Sequence, residues 1–168
     1  MIVRLLGVLV LATTFSSRAA LAYCDPQIDR TPLGEFNRSA FVGIVQVART
    51  TWLDEHGQPV VLRQPLQYGT IPGGFDPYSG ARYRVTVLRQ YKGVRRHALT
   101  IFSENSTGRT PLDDSTKYVV FLYPAARDGE GRKGELVIDY CGNSGPLSQA
   151  DGLLPMLDRL APGAFHQP

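Results

Sequence analysis

The chain has 168 residues, of which 18 are basic, 15 are acidic and 43% are hydrophobic. This length suits one domain with a hydrophobic core, and the small net charge excludes a protein that binds nucleic acid through its overall charge. Beyond the first residues, no segment is apolar enough to span a membrane.

The first 22 residues have the pattern of a secretory signal peptide. Arg4 precedes an apolar run over residues 5–12, and residues 20–22 read Ala-Leu-Ala. A basic start, a short apolar run and an A-x-A end are typical of a leader that is cleaved on export. The alternative is an uncleaved anchor, but the run is too short for about 30 Å of hydrocarbon. We therefore expect cleavage of residues 1–22 and an exported protein, either secreted to the extracellular space or periplasmic.

Five runs of residues have the composition of β-strands. Residues 83–87 alternate between apolar and polar, which predicts a half-buried strand with Arg84 and Thr86 pointing outward. Residues 118–123 are almost wholly apolar, which predicts a central strand, and Pro124 ends it. The other three predicted strands are 41–49, 99–102 and 136–140. The Gly- and Pro-rich residues 50–80 predict a long loop, and residues 60–62 within it are a candidate for a short strand.

The pattern changes after Cys141, where apolar residues recur at helical spacing. Pro155 suits the first turn of a helix, so we predict a helix over residues 155–160. Ser148 and Asp151 have the spacing of a capping box before it. Residues 162–168 are predicted to form a flexible tail.

Five strands with short links and one late helix favour a small closed barrel. We predict an all-β domain over residues 23–161, with a helix near its C-terminal end. The strand count fits a five-stranded antiparallel barrel of the oligonucleotide/oligosaccharide-binding (OB) type, and an open sandwich is the alternative.

Cys24 and Cys141 are the two cysteines of the chain. An even count in an exported chain favours a disulfide, and two free buried thiols are the alternative. A lipid anchor on Cys24 is not expected, because Tyr23 is bulky where a lipoprotein signal needs a small residue. A zinc site is not expected either, because the histidines are far apart at positions 56, 97 and 166.

Several blocks of sequence, in this order, resemble the netrin-like module and more narrowly the N-terminal domain of tissue inhibitors of metalloproteinases. They are FNRSAFVGIVQVAR (36–49), YRVTVLRQYKG (83–93), LTIFSE (99–104), KYVVFLYP (117–124) and LVIDYC (136–141). The resemblance covers most of residues 24–160. It implies an OB barrel, in agreement with the strand count.

The resemblance also implies how Cys24 is used. The family's inhibitors begin with Cys-x-Cys, the first cysteine binding the protease's catalytic zinc and the second forming a disulfide after a later strand. Here the disulfide would join Cys24 to Cys141, and Ala22 stands in place of the first cysteine. We therefore expect a non-catalytic binding module without a cofactor, whose partner is an unknown protein or an anionic polysaccharide. The alternative is a metalloprotease inhibitor that lacks the zinc-binding cysteine.

By the same resemblance, the contact surface includes the N-terminal arm and barrel loops beside it. The candidate binding residues are Tyr23, Asp25, Pro26, Ser103, Glu104 and Asn105.

The densest basic stretch lies in and after the second predicted strand. It predicts a patch that includes Arg84, Arg89, Lys92, Arg95 and Arg96. Such a patch can bind an anionic polysaccharide or an anionic membrane surface, whereas the simpler interpretation is a solvated strand face. Nucleic acid is not an expected partner, because an exported protein rarely meets it.

No constellation of residues predicts catalysis or a metal site. Ser144 lies in CGNSGPL, which is similar to the nucleophile segment of chymotrypsin-like proteases, but Asn143 precedes it where an acid is needed. Neither His56 nor His97 has the context of a catalytic base. The paired acids at 54–55 and 113–114 lie in polar loops and are interpreted as solvated charge.

Overall fold

The computed structural model describes residues 24–61, 78–105, 110–125 and 134–166, so the predicted leader and Tyr23 lie outside the described residues. The elements in chain order are α1 (Pro32–Arg38), β1 (Phe41–Leu53), β2 (Pro59–Val60), β3 (Gly80–Lys92), β4 (Ala98–Glu104), β5 (Lys117–Pro124), β6 (Leu136–Ile138), β7 (Gly145–Pro146), a 3₁₀ helix (Leu147–Gln149), α2 (Leu154–Leu160) and β8 (Phe165–His166).

Five of these strands close into a barrel. β1 pairs with both β3 and β5, β3 pairs with β4, β5 pairs with β6, and β6 pairs with β4. The ring of neighbours is therefore β1-β3-β4-β6-β5 and back to β1. The prediction of an OB-like five-stranded barrel with a helix near the C-terminus is confirmed.

Four of the five strand pairs of the barrel are antiparallel, as predicted, and one is parallel. β4 and β6 run in the same direction, with Ile101 opposite Leu136 and Phe102 opposite Val137. The reason is geometric. A closed ring with an odd number of strands cannot alternate direction all the way round, so at least one neighbouring pair must be parallel.

β1, β3, β4 and β5 extend further than predicted, whereas β6 ends at Ile138 and not at residue 140. The predicted loop at 50–80 is wrong at both ends. β1 continues to Leu53 and β3 begins at Gly80, and these two residues are register partners. β2 then pairs with the end of β1, Val60 lying opposite Trp52. Thr50, Thr51 and Trp52 are of residue types that favour strands, so the end of β1 was missed because it was grouped with the Gly and Pro residues that follow it. Residues 62–77 of the predicted loop lie outside the described residues.

Helix α1 was not predicted, although its start carries a sequence signal. The Thr31 hydroxyl accepts a hydrogen bond from Gly34 N at 3.1 Å, and Pro32 occupies the first turn. At the other end, Lys92 Nζ donates to the carbonyl oxygens of Phe36 and Asn37 at 2.7 and 2.8 Å. A cation at the last carbonyls of a helix is favourable, so β3 stabilises a helix of only seven residues.

The C-terminal helix lies close to its predicted place. It spans Leu154–Leu160 with Pro155 in the first turn, but Leu153 at its N-cap makes no side-chain capping bond. The predicted capping box is therefore wrong, and Ser148 lies in the preceding 3₁₀ helix. In the segment predicted as a flexible tail, β8 pairs with β3 at Arg89 and Gln90.

The apolar run of β5 is explained by burial on both faces. Tyr118, Val120 and Leu122 point into the barrel, where they join the main core. Val119 and Phe121 point outward into a second core cluster, which includes Leu157 of α2. A strand buried on both faces needs apolar residues at successive positions, so its period of two disappears.

Candidate functional site

Cys24 and Cys141 form a disulfide with their Cα atoms 5.9 Å apart. This confirms the pairing that the resemblance implied. Both sulfur atoms are used by the bond, so Cys24 carries neither a thioether lipid nor a metal-binding thiolate. The bond attaches the N-terminal arm, here residues 24–30, to the end of β6.

Cys141 lies in a turn where the chain leaves β5 and then returns to it. Ile138 of β6 is opposite Leu122, and Gly145 of β7 is opposite Val119, so residues 139–144 bulge away from the sheet. We call residues 139–144 the Cys141 turn. The Asp139 carboxylate fixes its start by accepting a hydrogen bond from Cys141 N at 2.9 Å.

A buried carboxylate joins the Cys141 turn to α1. Glu35 Oε2 accepts hydrogen bonds from both Asn143 N and Asn143 Nδ2, each at 2.6 Å. The same Nδ2 also donates to Arg30 O at 2.9 Å, so the arm is held as well. Glu35 has no exposed surface, and burial raises the pKa of its carboxyl although the Asn143 hydrogen bonds act in the opposite direction.

The fit between Glu35 and the turn requires a glycine. A Cβ at Gly142 would lie 2.8 Å from Glu35 Cδ and closer still to Oε1. The sequence did not single out Glu35, because an acid in a short polar segment has the appearance of a surface residue. The available signals were Gly142 and Asn143 in the segment CGNSGPL.

A cleft of about 320 Å³ lies against the Cys141 turn. Its lining includes Pro32, Asn143, Gly145, Pro146, Leu153 and Met156. The lining residues carry no charge, and its largest side chains are apolar. Asn143, Ser144 and Gln149 supply its polar side chains.

Ser144 lines the cleft but has a structural role. Its hydroxyl accepts a hydrogen bond from Phe121 N at 2.9 Å, which ties the end of the turn to β5. No histidine belongs to the lining of the cleft. His56 lies in the β1–β2 connection, 3.6 Å from Glu55, and His97 lies in the β3–β4 connection beside the ring of Phe165.

The structure brings the two predicted binding segments to one end of the barrel. Because β4 and β6 are parallel, Ser103 to Asn105 leave β4 at the same end at which the Cys141 turn leaves β6. Ser103 Oγ accepts a hydrogen bond from Thr110 N at 3.1 Å, and Asn105 Nδ2 donates to Tyr78 O at 2.7 Å. These two side chains therefore fix the backbone.

In the N-terminal arm, Asp25 has a local role and Pro26 is exposed. Asp25 Oδ1 accepts a hydrogen bond from Gln27 N at 2.9 Å, and its carbonyl accepts one from Arg30. The third predicted residue of the arm, Tyr23, lies outside the described residues.

Two exposed apolar side chains, on α1 and in the Cys141 turn, were not predicted. Leu33 of α1 is 50% exposed and Tyr140 of the Cys141 turn is 42% exposed. The elements that carry them are joined by the hydrogen bonds between Glu35 and Asn143. Leu33 was missed because α1 was missed, and Tyr140 because it was placed in a strand.

The residues of the predicted basic patch are not one surface. Arg89 pairs with Asp158 at 2.7 Å, Lys92 binds the last carbonyls of α1, and the Arg95 guanidinium lies 3.4 Å from the centre of the Phe165 ring. Arg84 and Arg96 are exposed, Arg84 on β3 and Arg96 in the β3–β4 connection. The stretch therefore divides between structural contacts and exposed charge.

Within the described ranges, no three histidine, cysteine or acidic side chains group as metal ligands do. In the same ranges, no helix is both long enough and apolar enough to cross a membrane. The paired acids are turn residues. Asp54 accepts backbone hydrogen bonds from His56 and Gln58, and Asp114 accepts one from the Thr50 hydroxyl.

Fold and disulfide together define this chain as an OB-like barrel protein whose N-terminal arm is covalently attached to the end of its last barrel strand. No protein-family model matches the chain, and no curated protein matches it.

Proposed function

We propose that this protein is an exported, netrin-like binding module that has no catalysis of its own and binds a protein partner. Its contact surface is the arm face, defined as Asp25, Pro26, Leu33, Glu104 and Tyr140. The observation that carries the proposal is the attachment of the arm by Cys24–Cys141 to the Cys141 turn, which Glu35 joins to α1; the turn and α1 each expose one apolar side chain.

The rigidity of this end of the barrel supports a binding role. The arm is held by the disulfide and by the hydrogen bond from Asn143 to Arg30 O, and α1 is held through Glu35. A surface that is already ordered loses little conformational entropy when a partner binds. Exposed apolar and aromatic side chains on fixed backbone are common anchors of protein interfaces.

Export is supported by the disulfide, because such bonds persist mainly in oxidising compartments. The non-catalytic part of the proposal is supported by Ser144. Its hydroxyl is bonded to the backbone of β5, and the lining of the adjacent cleft offers no base to activate it.

The test is affinity capture of a partner from the medium or periplasmic extract of the producing cells. The double variant Leu33→Ala/Tyr140→Ala should lose the partner that the native protein retains. Val94→Ala is the matched control, because Val94 is 76% exposed but lies after β3 in the connection to β4. Equal retention of the partner by all three proteins, at equal thermal stability, would exclude the arm face.

A second candidate is inhibition of a metalloprotease, and the position of the arm favours it. Cys24 is exposed and fixed beside Asp25 and Pro26, so the arm is available to a protease cleft. With Ala22 in place of the zinc-binding cysteine, inhibition would depend on occupation of the cleft without chelation. Peptide hydrolysis by a panel of metalloproteases, measured at micromolar protein, tests this, and unchanged rates throughout would exclude it.

A further inference from the structure

The outer face of β1, β3 and β4 carries cations in successive rows across the sheet. In the middle row, Arg49 lies opposite Arg84, which lies opposite Thr100. Directly opposed residues of a ladder point to the same face, so these side chains are neighbours. The row on one side is Lys117, Gln46, Thr86 and Ala98, and the row on the other side is Thr51, Arg82 and Phe102. We call the residues of these three rows the basic rows.

The pairing of Arg49 with Arg84 is unfavourable for the isolated protein. Both residues are exposed, and like charges directly opposite each other destabilise a sheet. None of the basic-row residues is acidic. Among the described residues, two carboxylates border them: Glu135, 2.7 Å from Arg82, and Glu104, which continues the same face of β4 opposite Gly80. Among the described residues, Arg49, Arg84 and Lys117 have no ion-pair partner. An anion from outside the chain would neutralise them.

The ten basic-row positions hold four cations and no acid, whereas the chain as a whole has 15 acidic residues against 18 basic ones. Arg96, two residues before Ala98 in the β3–β4 connection, is a further exposed cation. A surface of one sign attracts ligands of the opposite sign.

The spacing of the basic rows suits an extended polyanion. Residues two apart in a strand are about 6.6 Å apart, and neighbouring strands are about 4.8 Å apart, so the cations form a grid and not a single pocket. Thr51, Thr86 and Thr100 lie between the cations and offer hydroxyl groups, which both donate and accept hydrogen bonds. A chain of hydroxylated, negatively charged sugars matches both features.

Two other polyanionic partners fit less well. The large exposed apolar side chains, among them Leu33, Val94 and Tyr140, all lie outside the basic rows, so this face has nothing to insert into a membrane. Its one aromatic ring, Phe102, already has the Arg82 guanidinium 6.0 Å from its centre. No open ring is therefore present for the base stacking that single-stranded nucleic acid uses.

We propose that the basic rows bind an anionic polysaccharide through its sulfate or carboxylate groups. Cations of β1, β3 and β5 contact the acidic groups, and the threonines contact the sugar hydroxyls. Glu104 of the arm face borders the basic rows, but no residue belongs to both sets. Loss of polysaccharide binding in the variants below would therefore leave the proposed protein-binding function untouched.

The test is a binding titration of the full chain with heparin and with polygalacturonate, which are sulfated and carboxylated probes. Arg49→Gln and Arg84→Gln should each weaken binding about threefold, as expected for one exposed ion pair, and the double variant about tenfold. Arg159→Gln is the matched control, because it removes one exposed charge from α2, outside the basic rows. Binding should weaken as salt is raised.

Three outcomes would overturn the proposal. One is absence of binding to both polysaccharides at about 0.1 M salt, where the screening length is about 10 Å. Another is an equal loss of affinity with Arg159→Gln, which would indicate a non-specific effect of net charge. The third is tighter binding of a dT oligonucleotide or of phosphatidylserine vesicles than of either polysaccharide. Because Arg84→Gln also removes a like-charge contact, it should leave thermal stability equal or higher, which separates lost binding from unfolding.

Discussion

Removal of the disulfide should destabilise the whole domain. In the variant Cys24→Ser/Cys141→Ser, the unfolded chain regains the freedom of a loop of 117 residues. In the chain-entropy model, a bond closing a loop of this length removes about 16 cal/mol/K of entropy from the unfolded chain, which is about 5 kcal/mol of stability at 25 °C. Because domains of this size have unfolding free energies of about 5–15 kcal/mol, this is a third or more of the total. At about 3 °C per kcal/mol, Tm should fall by about 15 °C.

The assay is urea unfolding monitored by the fluorescence of Trp52, the single tryptophan, which packs against Tyr78 and Tyr83. The variant should have a lower midpoint, and also a steeper dependence on urea, because an unfolded chain without a cross-link exposes more surface. Native protein kept in reductant should behave as the variant does, and reductant should not change the variant. A loss below about 1 kcal/mol would refute the reasoning, since it would mean that the bond does not restrict the unfolded chain.

Three further predictions concern the packing around the Cys141 turn and α2. Gly142→Ala should destabilise by about 1–3 kcal/mol, because the new Cβ meets the buried Glu35 carboxylate. Gly152→Ala is the control: no atom lies within 4 Å of its Cβ, so stability against urea should change by less than about 0.5 kcal/mol. Leu157→Ala should lower the free energy of unfolding by about 2–5 kcal/mol, because Leu157 is fully buried. Leu160 is 37% exposed, so a loss no larger than that of Leu160→Ala would contradict the packing of α2. Burial raises the pKa of Glu35, so the folded protein favours the protonated carboxyl. Its contribution to stability is complete below the pKa of the unfolded chain, near 4.5, and is lost as pH rises through the pKa of the folded protein. Urea unfolding between pH 4 and 8 should therefore show a decline in native stability that Glu35→Gln lacks, and parallel profiles would rule this out.

The strands of the barrel could be predicted because their signals are local. The alternation of residues 83–87 and the apolar run of residues 118–123 each report their own burial. The parallel pairing of β4 with β6 has no local signal, since it follows from closing a ring of five strands. Helix α1 is too short for a clear period, and it depends on Lys92, far away in sequence.

The candidate surfaces were less predictable, because they depend on contacts between distant segments. Glu35 and Asn143 are 108 residues apart, and neither residue type by itself indicates a buried pair. In the basic stretch, sequence proximity grouped Arg89 and Lys92 with Arg84, but the fold directs the first two to Asp158 and to α1. The register of β1 instead brings Arg49 to Arg84.

The order in which the chain is synthesised gives the Cys24–Cys141 bond a further consequence. Cys24 is made 117 residues before its partner, which takes about 6–23 s at about 5–20 residues per second. Throughout this interval Cys24 has no cysteine of its own chain to react with, because the chain contains only two. A mispaired intramolecular isomer therefore cannot form, and maturation requires an oxidant but no disulfide reshuffling. The covalent closure of the arm thus comes after all five barrel strands have been made.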